Sequence, residues 1–141
     1  MAGALRRMTM QSLWHLHRFA YRISGERAAG DGTLAIHTTG RRSGEPRVTL
    51  LNYLADDGRY VVVASNAGSD RHPSWWLNLA ARPEAEIVVD GRRQPIRARL
   101  ADGSEREGLW ERISAWNSMY PRYAAETQRE IPVVVLEPVG S

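Results

Sequence analysis

The sequence predicts an α+β, mainly β domain in which six short antiparallel strands form a barrel or sandwich, with helices added to it. Three observations predict this class. From Thr33 onward, runs rich in β-branched and aromatic residues follow one another, separated by turn chemistry. Helical periodicity is confined to three segments, and the strand–helix–strand alternation that builds a doubly wound sheet is missing.

Taken in order, residues 9–24 come first: Leu13, Leu16, Ala20 and Ile23 recur at spacings of three and four, with Phe19 beside them, and read as an amphipathic helix. Trp14, Tyr21, Arg18 and Arg22 share the segment, so its apolar stripe suits either the body of its own domain or a membrane surface. His15 and His17 stand two apart, the wrong spacing for one helical face, and do not read as metal ligands. After Gly30-Asp31-Gly32 the pattern becomes extended, giving strands over Thr33–Thr39, Arg47–Ala55 and Arg59–Ser65, the last two joined by Asp56-Asp57-Gly58. Pro73–Ala81, with Trp75, Trp76, Leu77 and Leu79, reads as a short helix stopped before Pro83. Glu84–Asp90 and Gln94–Ala101 form a predicted hairpin across Gly91-Arg92-Arg93, and Arg97 and Arg99 alternate with Ile96, Ala98 and Leu100 to give one wet face. Asp102 and Ser104 are both candidate caps for a helix from about 105 to 118, whose Leu109, Ile113 and Trp116 share one side. A loop carrying Tyr120, Pro121 and Tyr123 follows, and Ile131–Val139 is the sixth strand.

At 141 residues the chain is expected to be one domain, with a helical preface over 1–30 and the sheet over 33–139. It has no cysteine, which excludes disulfides, thiolate metal sites and a cysteine nucleophile. All 19 basic residues are arginine, which excludes a Schiff-base lysine and a phosphate-loop lysine. A net charge of +3 with Asp and Glu interspersed does not make a polybasic nucleic-acid arm, so no nucleic-acid partner is expected. No apolar run approaches the roughly 20 residues of a membrane span, and no secretory signal is evident, so the expected location is cytoplasmic. Peripheral membrane contact through the first helix stands as a further expectation.

Two turns carry the chemistry. Thr38-Thr39-Gly40-Arg41-Arg42-Ser43-Gly44-Glu45-Pro46-Arg47 brings the guanidinium forks of Arg41, Arg42 and Arg47 together, matched to phosphate or carboxylate oxygens. Ser65-Asn66-Ala67-Gly68-Ser69-Asp70-Arg71-His72-Pro73 then runs into a helix with Pro73 in its first turn, where free N–H groups and the helix dipole favour an anion. Together they read as an anion-gripping cofactor site, against the alternative of an exposed hairpin loop with solvated arginines. No Ser-His-acid set, metal cluster or paired-carboxylate motif is apparent.

Four blocks in order, Thr38–Arg47, Tyr60–Gly68, His72–Leu79 and Arg129–Val133, resemble the deazaflavin-dependent nitroreductase family, over roughly residues 13 to 139. The resemblance implies a six-stranded split β-barrel of the flavin-reductase kind that binds the deazaflavin coenzyme F420. Carried over by position, it implies that Arg41, Arg42, Ser43 and Arg47 hold the coenzyme's phosphate and oligoglutamate tail. It likewise implies that Val63, Ala64, Ser65, Asn66, Gly68, Trp75 and Asn78 frame the ring and its ribityl chain, and that Thr49, Leu50 and Leu51 contact the ring. Tyr120 and Tyr123 fall on two of the family's tyrosines and leave a third unfilled. Asn52 stands where family members often carry an aromatic residue.

The activity so implied is hydride transfer from reduced F420 to a hydrophobic, electron-poor acceptor such as a quinone, an enone or a nitroaromatic. Tyr120, Tyr123 and Ser65 are the candidate proton donors, with the tyrosines ranked first. FMN is a weaker candidate cofactor, because an arginine turn serves any phosphate-bearing ring. The competing expectations are a non-catalytic carrier of deazaflavin, flavin or a fatty acyl ligand in the same barrel and, more weakly, an arginine-rich nucleic-acid module. Oligomeric state and the physiological acceptor stay open at this level.

Overall fold

The computed structural model describes residues 32–140, and the helix expected over 9–24 lies outside them. Seven strands make one antiparallel sheet: β1 (Thr33–Thr39), β2 (Pro46–Asn52), β3 (Leu54–Asp56), β4 (Arg59–Val63), β5 (Glu84–Val89), β6 (Arg92–Leu100) and β7 (Val133–Pro138). Their spatial order is β2-β1-β5-β6-β7-β4-β3. The strand expected over 47–55 is therefore two, divided at Tyr53, which corrects the count from six to seven. The correction has a spatial reason. β2 pairs with β1, whereas β3 pairs with β4 at the opposite edge of the sheet.

A single residue thus joins the two edges of a seven-stranded sheet, and a trans residue step of about 3.8 Å cannot do this unless the sheet is curled until its edges meet at that corner. Tyr53 is anchored there by its N–H donating to the Gly32 carbonyl at 2.7 Å, and its ring meets the edge of Tyr60 at 5.0 Å. Two hairpins turn on Asp57-Gly58 and Asp90-Gly91, all four residues at positive φ, the combination that matches a two-residue turn to strand twist.

Three helices complete the described residues: α1 (Ser74–Ala81), α2 (Gly103–Trp116) and α3 (Met119–Glu126). The segment expected to be a loop around Tyr120 and Tyr123 is α3. Pro121 is compatible with it because it falls in the first turn, where its missing N–H has no helical partner to lose. Pro73 sits just before α1 in an extended conformation, one place ahead of its expected position.

The curl divides the apolar residues into two cores. Leu34, Ile36, Val62, Ile87, Ile96, Val134 and Leu136 point inward with Trp75 and Leu79 of α1. Val61, Val63, Val133 and Val135 point outward and are covered by Leu109 and Ile113 of α2 and by Tyr120 of α3. β4 and β7 are therefore buried on both faces, which is why Val133-Val134-Val135-Leu136 is an unbroken apolar run. β6 instead exposes Arg97 to solvent and pairs it with Glu84, as its alternating sequence predicts.

Candidate functional site

A cleft of about 480 Å³ opens where β2, the end of β4, the loop after it and the start of α1 converge under α3. Its wall contains Thr49, Leu50, Leu51 and Asn52 of β2, Val63 of β4, Ser65, Asn66 and Ala67 of the following loop, Pro73, Ser74 and Trp75 at the start of α1, and Tyr120 of α3. The size and the mixture of apolar surface with a few convergent polar groups suit a planar organic ligand. A depression of about 540 Å³ runs along α2, but only residues of that helix line it, so it lacks a facing wall.

One buried amide ties the first of the two turns singled out in the sequence to α1, the helix that follows the second. Asn78 of α1 is 4% exposed, and its Oδ1 accepts from the Arg41 backbone N–H at 3.0 Å and from Arg41 Nη1 at 2.9 Å. It lies one helical turn beyond Ser74, so it pins the Gly40–Glu45 turn beside the helix start that lines the cleft. Within that turn the Gly40 and Gly44 N–H groups donate to the Glu45 and Gly40 carbonyls, each at 2.8 Å. A Cβ on Gly40 would stand 2.5 Å from Ser43 Oγ and 3.3 Å from the Glu45 carbonyl oxygen, so a larger residue there would displace the Ser43 hydroxyl from its bonds within the turn. Ser43 Oγ accepts from the Glu45 N–H at 3.1 Å and from Arg47 Nη2 at 3.4 Å. Arg47 also approaches Glu45 at 3.5 Å, while Arg42 is exposed and makes no ion pair among the described residues.

The loop after β4 is held in an unusual shape. Asn66 and Ala67 both take positive φ, 46° and 53°, a conformation that costs a non-glycine residue free energy and clusters at functional sites. Gly68 follows at φ +82°, and a Cβ there would lie 2.7 Å from Glu126 Oε2 and 3.4 Å from the Tyr123 Cα. Gly68 thus packs under α3 and does not line the cleft. Arg129, which sequence reasoning noticed only as part of a motif, binds the loop from behind: its guanidinium donates to the carbonyls of Ser65 and Ser69 at 2.8 Å and of Ala64 at 3.2 Å.

Tyr120 is 8% exposed and carries the one polar group of α3 that lines the cleft. Burial and the neighbouring Tyr123 push its phenol above the usual range, while a hydrogen bond from Asn52 opposes the rise. The phenol is protonated at neutral pH, as tyrosine ordinarily is, and the rise reinforces this. Thr33 Oγ1 orients Asn52 by donating to its Oδ1 at 3.3 Å. The Tyr120 ring stacks at 5.8 Å on Trp116 and meets Tyr123 edge-on at 6.3 Å.

Of the residues the sequence nominated, Thr49, Leu50, Leu51, Val63, Ser65, Asn66, Trp75 and Tyr120 line the cleft. Arg41, Arg42 and Ser43 lie in the turn before β2 and Arg47 near the start of β2, none of them among the lining residues, and Asn78 braces that turn. Ala64 is fully buried in the inner core and Tyr123 packs in the outer one. Asn52, Ala67, Pro73 and Ser74 line the cleft without having been nominated. The departure from an aromatic at position 52 was the available signal for the first of these. His72 lies behind the loop with Nδ1 3.1 Å from Arg129. Among the described residues no group of acids and histidines is placed to hold a metal ion. No helix among them is long and apolar enough to cross a membrane.

Comparison with known proteins bears on this geometry directly. The family model described as F420H(2)-dependent quinone reductase matches residues 12–138. An F420H(2)-dependent quinone reductase of Mycobacterium tuberculosis is 37% identical over 122 residues, covering 84% of this chain and 79% of its own. A solved F420-H2 dependent reductase, FDR-A, superposes with a TM-score of 0.68 at 34% identity, over 74% of this chain and 93% of that one. A second solved chain, described as a domain-swapped dimer, reaches a TM-score of 0.70 at 29% identity, over 90% of this chain and 99% of its own. An antiparallel sheet curled around an arginine-flanked cleft, matched along nearly its whole length, therefore places this chain in the F420H(2)-dependent quinone reductase family.

Proposed function

We propose that the cleft holds the ring of coenzyme F420 and that the Gly40–Arg47 turn holds its anionic tail, in an enzyme that reduces a quinone-type acceptor. The observation that carries the proposal is the Asn78 bridge. It fixes a cationic turn that holds three arginines and one carboxylate against α1, the helix whose first residues line a cleft of mixed apolar and polar surface. That asymmetry fits a flat ring bearing a long anionic chain. When bound, the reduced deazaflavin supplies the hydride.

The chain's own residues do the rest. Leu50, Leu51, Val63 and Trp75 present apolar surface that excludes water from the ring face. Thr49, Ser65 and Asn66 offer hydroxyl and amide groups that orient it. Arg41, Arg42, Ser43 and Arg47 bind phosphate and carboxylate oxygens by charge-assisted bonds. Tyr120 holds a proton on an oxygen that faces the cleft, and it serves as donor to an acceptor oxygen there, with Asn52 fixing its orientation.

The deciding experiment titrates the protein with F420 and with FMN, followed by ligand fluorescence, and then assays F420H2 oxidation with a soluble quinone. Micromolar or tighter F420 binding with FMN much weaker, and turnover, is the expected result. Binding without turnover over a panel of acceptors would support a carrier instead. Tyr120→Phe should lower kcat at least tenfold with F420 affinity nearly intact, and Tyr123→Phe should do less, since Tyr123 lies outside the cleft lining.

A further inference from the structure

Arg129 lies between α3 and β7, behind the cleft wall, and its guanidinium is enclosed by the loop that forms that wall. Nε donates to the Ser69 carbonyl at 2.8 Å, Nη2 to Ser65 at 2.8 Å, and Nη1 to Ala64 at 3.2 Å and to His72 Nδ1 at 3.1 Å. Arginine can only donate, so His72 Nδ1 is a lone-pair acceptor and its ring proton sits on Nε2. Burial first, and the Arg129 charge second, push the His72 imidazolium below the usual histidine range, so this ring is neutral at neutral pH. The partners of Arg129 are thus uncharged.

The other charged groups packed nearby are engaged elsewhere or stand apart. Asp70 accepts from Thr127 Oγ1 at 2.9 Å, Glu130 pairs with Arg106 at 2.9 Å, and Glu126 sits against Gly68. Arg71, on the same loop, adds positive charge. No carboxylate among the described residues forms an ion pair with Arg129. The Arg129 guanidinium therefore stands one residue behind the cleft without a direct carboxylate partner among the described residues, and Ser65 is at once its carbonyl partner and a wall residue.

We propose that Arg129 is a positioning residue with an electrostatic role: it fixes the Ala64–Ser69 wall and holds behind it a positive charge, bound to carbonyls and not to a carboxylate among the described residues, that favours the anionic form of a ring lying against Ser65 and Asn66. The inference rests on the coenzyme reading above, and adds to it the acid–base state of the bound ring. The deazaflavin of F420 carries an ionisable ring hydroxyl whose deprotonation changes its absorption, so this state can be read directly. As a general scale, two unit charges about 10 Å apart at an effective dielectric of about 20 shift each other's ionisation by roughly one pKa unit.

The test is an absorbance pH titration of oxidised F420, free and bound to the full chain, with affinity taken from the same samples. The expected result is a bound hydroxyl more acidic than the free one. Arg129→Gln and Arg129→Met return it toward the free value by about one unit, while Arg129→Lys keeps most of the shift. A wild-type hydroxyl no more acidic when bound than when free overturns the inference, even if the uncharged variants do not fold. So does a purely bracing effect, in which all three variants lose affinity and thermal midpoint but leave the bound pKa where it was. Failure of the wild-type protein to bind F420 at all is a different result, since it removes the coenzyme reading and this inference together.

Discussion

Arginine is used in two ways on two sides of this molecule. Along α2 it meets carboxylates. Arg99 bridges Glu105 and Glu137 at 2.5 Å each, Asp56 receives Arg59 at 2.6 Å and Arg112 at 2.8 Å, and Arg106 pairs with Glu130. Around the cleft it does not. Arg41 is held by the Asn78 amide, Arg42 has no ion-pair partner among the described residues, and Arg129 touches carbonyls and a neutral imidazole. Among the described residues only Arg47 has a carboxylate there, Glu45, at the long distance of 3.5 Å. The same residue type is a fastener on one side, and on the other a positive charge without a close carboxylate among the described residues, which the proposed coenzyme tail would meet.

This contrast breaks most sharply at the turn. Replacing Arg41 and Arg42 together by alanine should reduce F420 affinity at least about a hundredfold, since charge-assisted bonds contribute about 1.5–3 kcal/mol each. Calorimetric titration checks this, and a folded double variant that binds as the wild type does would remove the turn from the site. Raising ionic strength from low to high should weaken F420 binding about tenfold while moving the thermal midpoint little, because exposed charges are screened and buried packing is not. Equal sensitivity of both would erase the difference between the two sides.

On the α2 side the effects should be smaller and fall on stability. Arg99→Ala should cost about 1 kcal/mol or less, the range of partly exposed pairs, with F420 affinity unchanged. The smallest effect concerns acid. Hydrogen bonding from Arg112 holds the Asp56 carboxyl below the usual carboxylate range, and Arg99 does the same to Glu105. Groups depressed on folding stabilise above their unfolded pKa, near 4, and lose that contribution as pH falls through the lower folded value. Asp56→Asn should therefore flatten the dependence of the thermal midpoint on pH below about 4 and leave it alone above 6. An unchanged acid limb would show that Asp56 is not a stabilising partner.

Local pattern was enough where local chemistry decides the outcome. Thr33–Thr39 has the bounds its sequence predicts, because an extended run there ends at Gly40, and the Asp57-Gly58 turn was legible from its dipeptide, whereas the second hairpin turns at Asp90-Gly91 and not across the expected Gly91-Arg92-Arg93, so Arg92 and Arg93 belong to β6. The break at Tyr53 was not legible. Leu51 and Leu54 are equally suited to strands, and only the meeting of two distant edges decides that one strand becomes two. α3 escaped notice because it is short and contains Pro121, a strong turn signal that is also compatible with a first helical turn. The cleft lining from β2 and β4 followed from position in a resembling family. The grip of Arg129 on the loop did not, since its partners are backbone carbonyls, which leave no mark in a side-chain pattern.

β7 lies between β6 and β4, and it contributes to both cores at once. Its partners are paired with it across most of the described chain, Tyr60 with Leu136 and Ile96 with Pro138. Until Val133–Pro138 docks, β4 and β6 each present a bare edge, and neither core has its full complement of side chains. Closing such long loops costs chain entropy before contacts repay it, so folding should be slow for a chain of this size. Loss of this one strand should likewise melt both cores in a single cooperative step, leaving no half-barrel behind.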